Sequence, residues 1–223
     1  MRACTVLPAA AFVLAVTPAL IAQDPAKVAA AHYKVAFENP SVRVLRVSMP
    51  VGGKSAMHAH PDHLAVFLRE GQATFTGPDG KAQEVKAENE TATYVPAGSH
   101  SVVNTGKTPV DVVVVEFKAK EPGTATLPDT RDNLAMKMLA EGPRAMVYRA
   151  TADEKFSEPA GSKHDFDQVV IALGAAQMML SIDGKPTKSK WTRGEAVFIP
   201  RGVAHESKNT GGKPVDFIIV AIK

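Results

Sequence analysis

The 223-residue sequence predicts an all-β protein that contains two copies of one sandwich or barrel domain. Short runs rich in β-branched and aromatic residues recur along the chain, with Gly, Pro, Asn and Asp between them, as is typical of short strands and turns. Hardly any segment is typical of a helix. The second half also repeats the first: Asp183-Gly184-Lys185 matches Asp79-Gly80-Lys81, 104 positions earlier (183 minus 79). A repeat of about 100 residues indicates a duplicated domain.

The first 22 residues have the pattern of a secretory signal peptide. Their apolar run, from Val6 to Val16, is too short to span a bilayer, and small residues precede a predicted cleavage site after Ala22. Removing residues 1–22 eliminates Arg2 and Cys4, which leaves 25 basic and 23 acidic side chains and no cysteine. We therefore expect a secreted or periplasmic protein, without disulfides and without a membrane segment after cleavage.

The remaining chain divides into an N-terminal arm (23–35), a first domain (36–118), a linker (119–142) and a second domain (143–223). The arm is alanine-rich and favours a short helix. Strands are predicted in the first domain over 42–47, 63–69, 72–76, 82–86, 91–95 and 110–117, and most have a counterpart in the second domain. Within the linker, Asn133 to Ala140 is expected to form two helical turns.

Histidines of the first domain form the main functional signal. His58 and His60 are two positions apart, so on a strand they point to the same face. His100 follows about 40 residues later, after the turn residues Pro96 and Gly98, and can bring a third imidazole to the same place. Such a set suits one divalent transition metal. His63 is a candidate fourth ligand only if Pro61 and Asp62 shift the strand phase, because simple alternation points it away from His60.

An apolar pocket beside this metal site is the second functional expectation. Val66, Leu68, Phe75 and Tyr94 are the candidates for its lining, and ordinary barrel core is the alternative role for the same side chains. The ligand would be a small molecule. Nucleic acid is not expected, because the chain has no basic block and only 6% aromatic residues.

Taken together, these motifs resemble those of the cupin superfamily. The first family motif is matched by Gly52, His58, His60 and Gly71. The second is matched by Pro96, Gly98, His100 and Asn104, but one residue is missing before His100 and Glu90 stands where its first glycine is expected. The second half matches the second motif through Gly194, Pro200, Gly202, His205 and Asn209. This resemblance covers nearly all of 36–118 and 143–223, and it implies two tandem jelly-roll β-barrels, or a bicupin, with a metal at the centre of each intact barrel.

Two departures from the family pattern affect the predicted sites. The family's glutamate ligand falls at Leu64, which cannot bind a metal, so barrel 1 resembles the cupin dioxygenases that hold iron with histidines alone. In the second half His164 and His205 match family histidines, but Ser162 and Gln168 replace the other two ligands. A site of His164, Gln168 and His205 is therefore expected to be weak or free of metal, and Asp165 or Asp167 would contribute only if the strand phase differs.

Three neutral imidazoles would leave the metal its full charge and open positions for an anionic substrate and O₂. The leading hypothesis is a secreted oxygenase of the quercetinase or diketone-dioxygenase type, with iron as the first candidate and manganese, nickel, copper or zinc as alternatives. The other hypotheses are a non-catalytic cupin that binds a metal or small molecule, and a metal-assisted isomerase or lyase. Glu116 and His63 are weak candidates for a general base, and a homodimer is compatible with the family.

Overall fold

The computed structural model describes residues 23–118, 124–125 and 131–223. The predicted signal peptide and its cleavage site lie at or before the edge of this region, so the 1–22 prediction falls outside the described residues. A four-residue helix, α1 (Pro25–Val28), precedes the strands and is capped by Asp24. No helix among the described residues has the length and apolarity needed to cross a bilayer.

Barrel 1 is built from nine strands in two sheets. The strands are β1 (Tyr33–Glu38), β2 (Val42–Met49), β3 (His58–His60), β4 (His63–Phe67), β5 (Gly71–Thr76), β6 (Ala82–Ala87), β7 (Thr91–Val95), β8 (Gly98–Asn104) and β9 (Val110–Phe117). One sheet has the order β1-β2-β9-β4-β7 and the other β3-β8-β5-β6. Their facing apolar side chains, including Val47, Val114 and Val102, form the barrel core.

Barrel 2 repeats this arrangement with eight strands. They are β10 (Leu134–Glu141), β11 (Ala145–Ala152), β12 (Asp167–Ala172), β13 (Ala176–Ile182), β14 (Lys185–Trp191), β15 (Ala196–Ile199), β16 (His205–Asn209) and β17 (Val215–Ile222). The sheets are β10-β11-β17-β12-β15 and β14-β13-β16. All named pairings in both barrels are antiparallel, which confirms the predicted all-β fold of two tandem barrels.

The repeat is visible in matching turn chemistry. Asp183 and Gly184 both have positive φ and connect β13 to β14 as a two-residue hairpin turn, which the Asp-Gly pair favours. Asn104 and Asn209 each donate from Nδ2 to three carbonyl oxygens and each accept a backbone N–H two residues on. These two amides therefore stabilise equivalent turns in the two barrels.

The two five-stranded sheets pack against each other and form a third core between the barrels. Leu64, Val66 and Val115 of barrel 1 meet Val169 and Ile171 of barrel 2, and all five side chains are fully buried. These strands are consequently buried on both faces, one toward the barrel interior and one toward the other barrel. The alternation of polar and apolar residues that marks a half-exposed strand is lost there.

Two details of the predicted organisation are wrong. Residues 134–141 form strand β10, paired with β11, and not the expected helical turns within a linker. Leu, Ala, Met and Lys favour helix intrinsically, but pairing at a sheet edge overrides this weak preference. The first strand also begins at Tyr33, inside the predicted N-terminal arm.

Candidate metal centre

Three histidines of barrel 1 converge where β3 pairs with β8. His58 lies directly opposite His100 in this antiparallel pair, and His60 follows two residues later on the same face. Ligand atoms of His58, His60 and His100 all lie within 4.8 Å of one another. The structure therefore brings together the three side chains that the spacing suggested as metal ligands.

Hydrogen bonds fix the orientation of the first two imidazoles. Nδ1 of His58 lies 2.7 Å from the carbonyl oxygen of Ala56, so it must donate its proton there, and Nε2 keeps the lone pair. That Nε2 is buried and has no hydrogen-bond partner among the described residues. A buried nitrogen lone pair without a partner is costly, whereas a cation bound at this position would satisfy it.

Glu116 orients the second imidazole. Its Oε1 lies 2.6 Å from Nδ1 of His60, and both side chains are almost fully buried. Arg43 faces the other carboxylate oxygen at 3.6 Å and also pairs with Asp24 at 2.8 Å. Burial raises the pKa of Glu116, and the charge of Arg43 opposes that shift. A carboxylate that holds the outer nitrogen of a ligating histidine is a recurring feature of metal centres.

His63 also lies on the inside of the barrel, and the expectation from simple alternation is wrong. Strand β3 ends at His60, and a new strand, β4, begins at His63 after Pro61 and Asp62. The alternation of inward and outward side chains is therefore interrupted, as the sequence analysis allowed for His63. The ring centroids of His60 and His63 are 4.8 Å apart. Nδ1 of His63 donates to the carbonyl oxygen of Pro61 at 2.8 Å, which leaves its Nε2 with the lone pair.

Burial keeps these imidazoles neutral. Burial, followed by the neighbouring imidazoles, lowers the pKa of His60 to about 3, that of His63 to about 4 and that of His100 to about 3. The pKa of His58 is also lowered, chiefly by burial. Metal binding to these nitrogens would therefore meet little competition from protons near neutral pH.

A cavity of about 730 Å³ lies inside barrel 1 and borders the histidines. His60, His63 and His100 contribute polar atoms to its wall, while most of the lining is apolar. Its apolar members include Tyr33, Val47, Met49, Phe67, Phe75 and Val114. Such a volume suits a small organic ligand.

Only one of the four predicted pocket residues lines this cavity. Phe75 does so and packs edge-to-face against His100, with ring centroids 5.0 Å apart. Val66, Leu68 and Tyr94 instead face the core between the barrels, which corrects their predicted role. Because β4 contributes to the barrel core with one face and to the core between the barrels with the other, its hydrophobic residues did not reveal which face was the interior.

Residues of the N-terminal arm complete the site, which the sequence interpretation missed. The carbonyl oxygen of Gln23 accepts the backbone N–H of Ala59, between the two ligating histidines of β3. Tyr33 is buried with its ring 4.8 Å from that of His58, edge to face, and lines the cavity. Burial raises the pKa of Tyr33. No local motif marks these residues, because their role depends on where the arm docks.

Barrel 2 holds a different cluster at the equivalent position. Ser162 bridges to His205 as His58 pairs with His100, so Ser162 does replace the first histidine. His164 and His205 come together as expected, but their carboxylate neighbour is Glu158, which the sequence interpretation missed. Gln168, the expected third member, is buried on β12 and borders a small interior cavity of about 50 Å³.

Comparison with known proteins agrees with this fold. Residues 45–116 match the profile of the family described as Cupin domain. No curated protein sequence matches the chain. Among solved structures, AerE from Microcystis aeruginosa is 14% identical, with a TM-score of 0.64, over 86% of this chain and 97% of that chain.

Two similar structures are of enzymes named for their reactions. Salicylate 1,2-dioxygenase from Pseudoaminobacter salicylatoxidans is 11% identical, with a TM-score of 0.58, over 82% of this chain and 71% of that chain. Oxalate decarboxylase from Bacillus subtilis is 10% identical, with a TM-score of 0.56, over 82% of this chain and 68% of that chain. The likeness at this identity concerns the fold. The domain match identifies barrel 1 as a cupin domain, and the likeness to these structures shows the same kind of fold over both barrels.

Proposed function

We propose that this protein is a metal-dependent oxygenase that acts on a small, largely apolar molecule inside barrel 1. The observation that carries the proposal is the convergence of His58, His60 and His100 beside a cavity of about 730 Å³. His58 offers a buried, unpartnered Nε2. The similar salicylate dioxygenase supports the reaction class only through its fold.

His58, His60 and His100 would hold a divalent transition metal, with iron as the first candidate and manganese, nickel, copper or zinc as alternatives. A bound redox-active ion would supply the Lewis acidity and electron transfer that substrate oxidation by O₂ requires. Glu116 keeps His60 oriented through its Nδ1, at 2.6 Å. In place of the family's glutamate, which would bind the metal itself, this site has the carboxylate of Glu116 hydrogen-bonded to the outer nitrogen of His60.

The chain's own residues would bind and orient the substrate. Phe67, Phe75 and Met49 exclude water from the cavity and favour an apolar body. His63 lies beside His60 with its Nε2 lone pair available, so it is positioned to accept a proton from an acidic substrate group near the metal. The substrate would thus be a small chelating molecule with an ionisable hydroxyl, thiol or enol.

Metal analysis followed by oxygen uptake tests the proposal. The purified protein would be loaded separately with each candidate metal and assayed with flavonols, diketones and thiols. We expect uptake that depends on the metal, is lost in His100→Ala and persists in His32→Ala, a histidine of the arm outside the cluster. A firmly bound redox metal with no turnover would instead favour a binding protein. Turnover without oxygen would favour an isomerase or lyase.

The protein is further proposed to act outside the cytoplasm, in the periplasm or after secretion. The signal-like residues 1–22 support this, and Gln23, the residue after them, contacts barrel 1 through Ala59. Cell fractionation with N-terminal sequencing of the purified protein tests it. A cytoplasmic protein that retains its first 22 residues would contradict the proposal.

A further inference from the structure

We propose that barrel 2 contains a latent metal site, made of Glu158, His164 and His205, in which the guanidinium of Arg131 takes the place of the cation. This ligand set differs from the one that the repeat implies, since Glu158 aligns with Lys54 of barrel 1 (158 minus 104) and lies outside both motifs. The site is independent of the metal centre proposed for barrel 1.

The three donor groups already have the spacing of a metal site. Nε2 of His164 and Nε2 of His205 are 3.1 Å apart. Glu158 places Oε2 at 3.3 Å from His205 and Oε1 at 3.8 Å from His164. Ligand atoms about 2.0–2.1 Å from a tetrahedral zinc ion lie about 3.4 Å from each other, so these separations require only small adjustments.

The positively charged guanidinium of Arg131 lies beside these donors. Its Nη1 lies 2.8 Å from Oε1 of Glu158, and its Nη2 lies 3.4 Å from Nδ1 of His164. A guanidinium can only donate, so Nδ1 of His164 must accept, and in the neutral ring the proton then sits on Nε2. That Nε2–H points into the cluster, where Nε2 of His205 lies 3.1 Å away and Oε1 of Glu158 lies 3.8 Å away.

This arrangement blocks metal binding in two ways. The nitrogen of His164 that faces the cluster carries a proton, whereas a metal ligand must offer a lone pair there. A divalent ion beside Arg131 would also bring three positive charges to Glu158, the largely buried carboxylate that contacts Arg131 and both histidines, which is electrostatically costly. Ser207, which donates to Oε2 of Glu158 at 3.0 Å, adds no compensating charge.

The site has room for the exchange of one cation for the other. A pocket of about 700 Å³ borders the cluster on the outside and includes Arg131, Glu158 and His164 in its lining. The interior of barrel 2, by contrast, offers only about 50 Å³. An ion bound here would therefore bind next to solvent and would stabilise the barrel.

Metal stoichiometry tests the proposal. In the His58→Ala/His60→Ala background, which disables barrel 1, we expect no tightly bound zinc or cobalt(II). Adding Arg131→Gln should produce about one bound ion per chain, with the visible absorption of cobalt(II) bound to nitrogen ligands. Adding His205→Ala to that variant should remove it. Arg201→Gln, a change at an exposed arginine of barrel 2, is the matched control and should bind none.

Two results would overturn the proposal. A folded Arg131→Gln protein without the additional ion would show that the cluster is not a ligand set. A bound ion that is present before the Arg131 change, and is lost with His205→Ala, would show that the guanidinium does not exclude metal. Thermal melting verifies folding, and Arg131→Ala gives a second measurement if the glutamine variant does not fold.

Discussion

Restoring the family's glutamate at its aligned position should destroy the fold and not improve the metal site. The aligned residue is Leu64, whose side chain is fully buried in the core between the barrels. Its backbone pairs with Val115 and Tyr94 on the neighbouring strands. Leu64→Glu would therefore place a carboxyl group among aliphatic side chains of both barrels, on the opposite face of β4 from the histidines.

The cost can be worked out from this location. Losing the burial of a leucine side chain costs about 1.5–3 kcal/mol. A carboxyl group in such surroundings is kept largely neutral by a pKa rise of roughly 3–4 units, and protonating it at neutral pH costs about 3.5 kcal/mol. The sum, about 5–7 kcal/mol, is comparable to the whole stability of a typical domain, about 5–15 kcal/mol. Leu64→Ala, the size control, should cost about 2–5 kcal/mol.

The matched variant is His63→Glu, one residue away and facing the barrel interior. Its carboxylate would stand opposite Glu116 in the strand register, so like charges should lower the melting temperature of the metal-free protein. A bound divalent ion compensates these charges. Metal should consequently raise the melting temperature of His63→Glu more than that of the unaltered protein, and should not rescue Leu64→Glu.

Thermal melting with and without zinc, followed by metal titration, measures both effects. If Leu64→Glu melts within a few degrees of the unaltered protein and binds metal more tightly, residue 64 faces the metal, and our assignment of the two faces of β4 is wrong.

The remaining predictions concern the metal and pH. His58→Ala should remove most of the bound metal, whereas His205→Ala should change metal content little, as measured by elemental analysis. Glu116→Gln should weaken metal binding by about 10–100-fold in a competition titration, because it alters the partner of His60. The metal-free protein should lose stability as pH falls below 6.5, since the folded pKa values of about 3 for His60 and about 4 for His63 let the unfolded chain bind protons first. By pH 5 each contributes a loss of about 2 kcal/mol, which denaturant titration at several pH values would detect.

Specific outcomes would contradict each of these. Equal metal loss in His58→Ala and His205→Ala would show that our assignment of the metal to barrel 1 is wrong. Unchanged affinity in Glu116→Gln would mean that the 2.6 Å contact with His60 does not act on the metal. A metal-free protein equally stable at pH 7 and pH 5 would show that the buried imidazoles take up protons without cost.

Local chemistry accounts for the parts of the structure that were predictable. Asp-Gly turns, short β-rich runs and a repeated Asn turn depend on neighbouring residues, so they can be recognised in one sequence. The His58–His60 pair is equally local, since it follows from strand alternation. His100 could be predicted as the third ligand because the Pro96-x-Gly98 turn leads into its strand, β8.

What escaped prediction depends on how the barrels and the arm pack. Val66 and Leu68 were assigned to the pocket because nothing in an apolar strand distinguishes its two buried faces. Strand β10 was predicted to be helical because its residues favour helix, and only its pairing with β11 makes it a strand. Glu158 and Arg131 lie outside the family motifs, and only the folded chain brings them to His164.

The aliphatic layer between the sheets has a consequence for any attempt to dissect the chain. Val44, Val66 and Val113 on one side, and Val147 and Val220 on the other, are each almost fully withdrawn from solvent by the opposite half. A fragment ending near residue 118 would expose this layer to water as a large apolar surface. Such a fragment should form a homodimer through this layer, in which each copy supplies the contacts of the missing barrel. The dimer would resemble the single-domain homodimer from which a duplicated chain can arise.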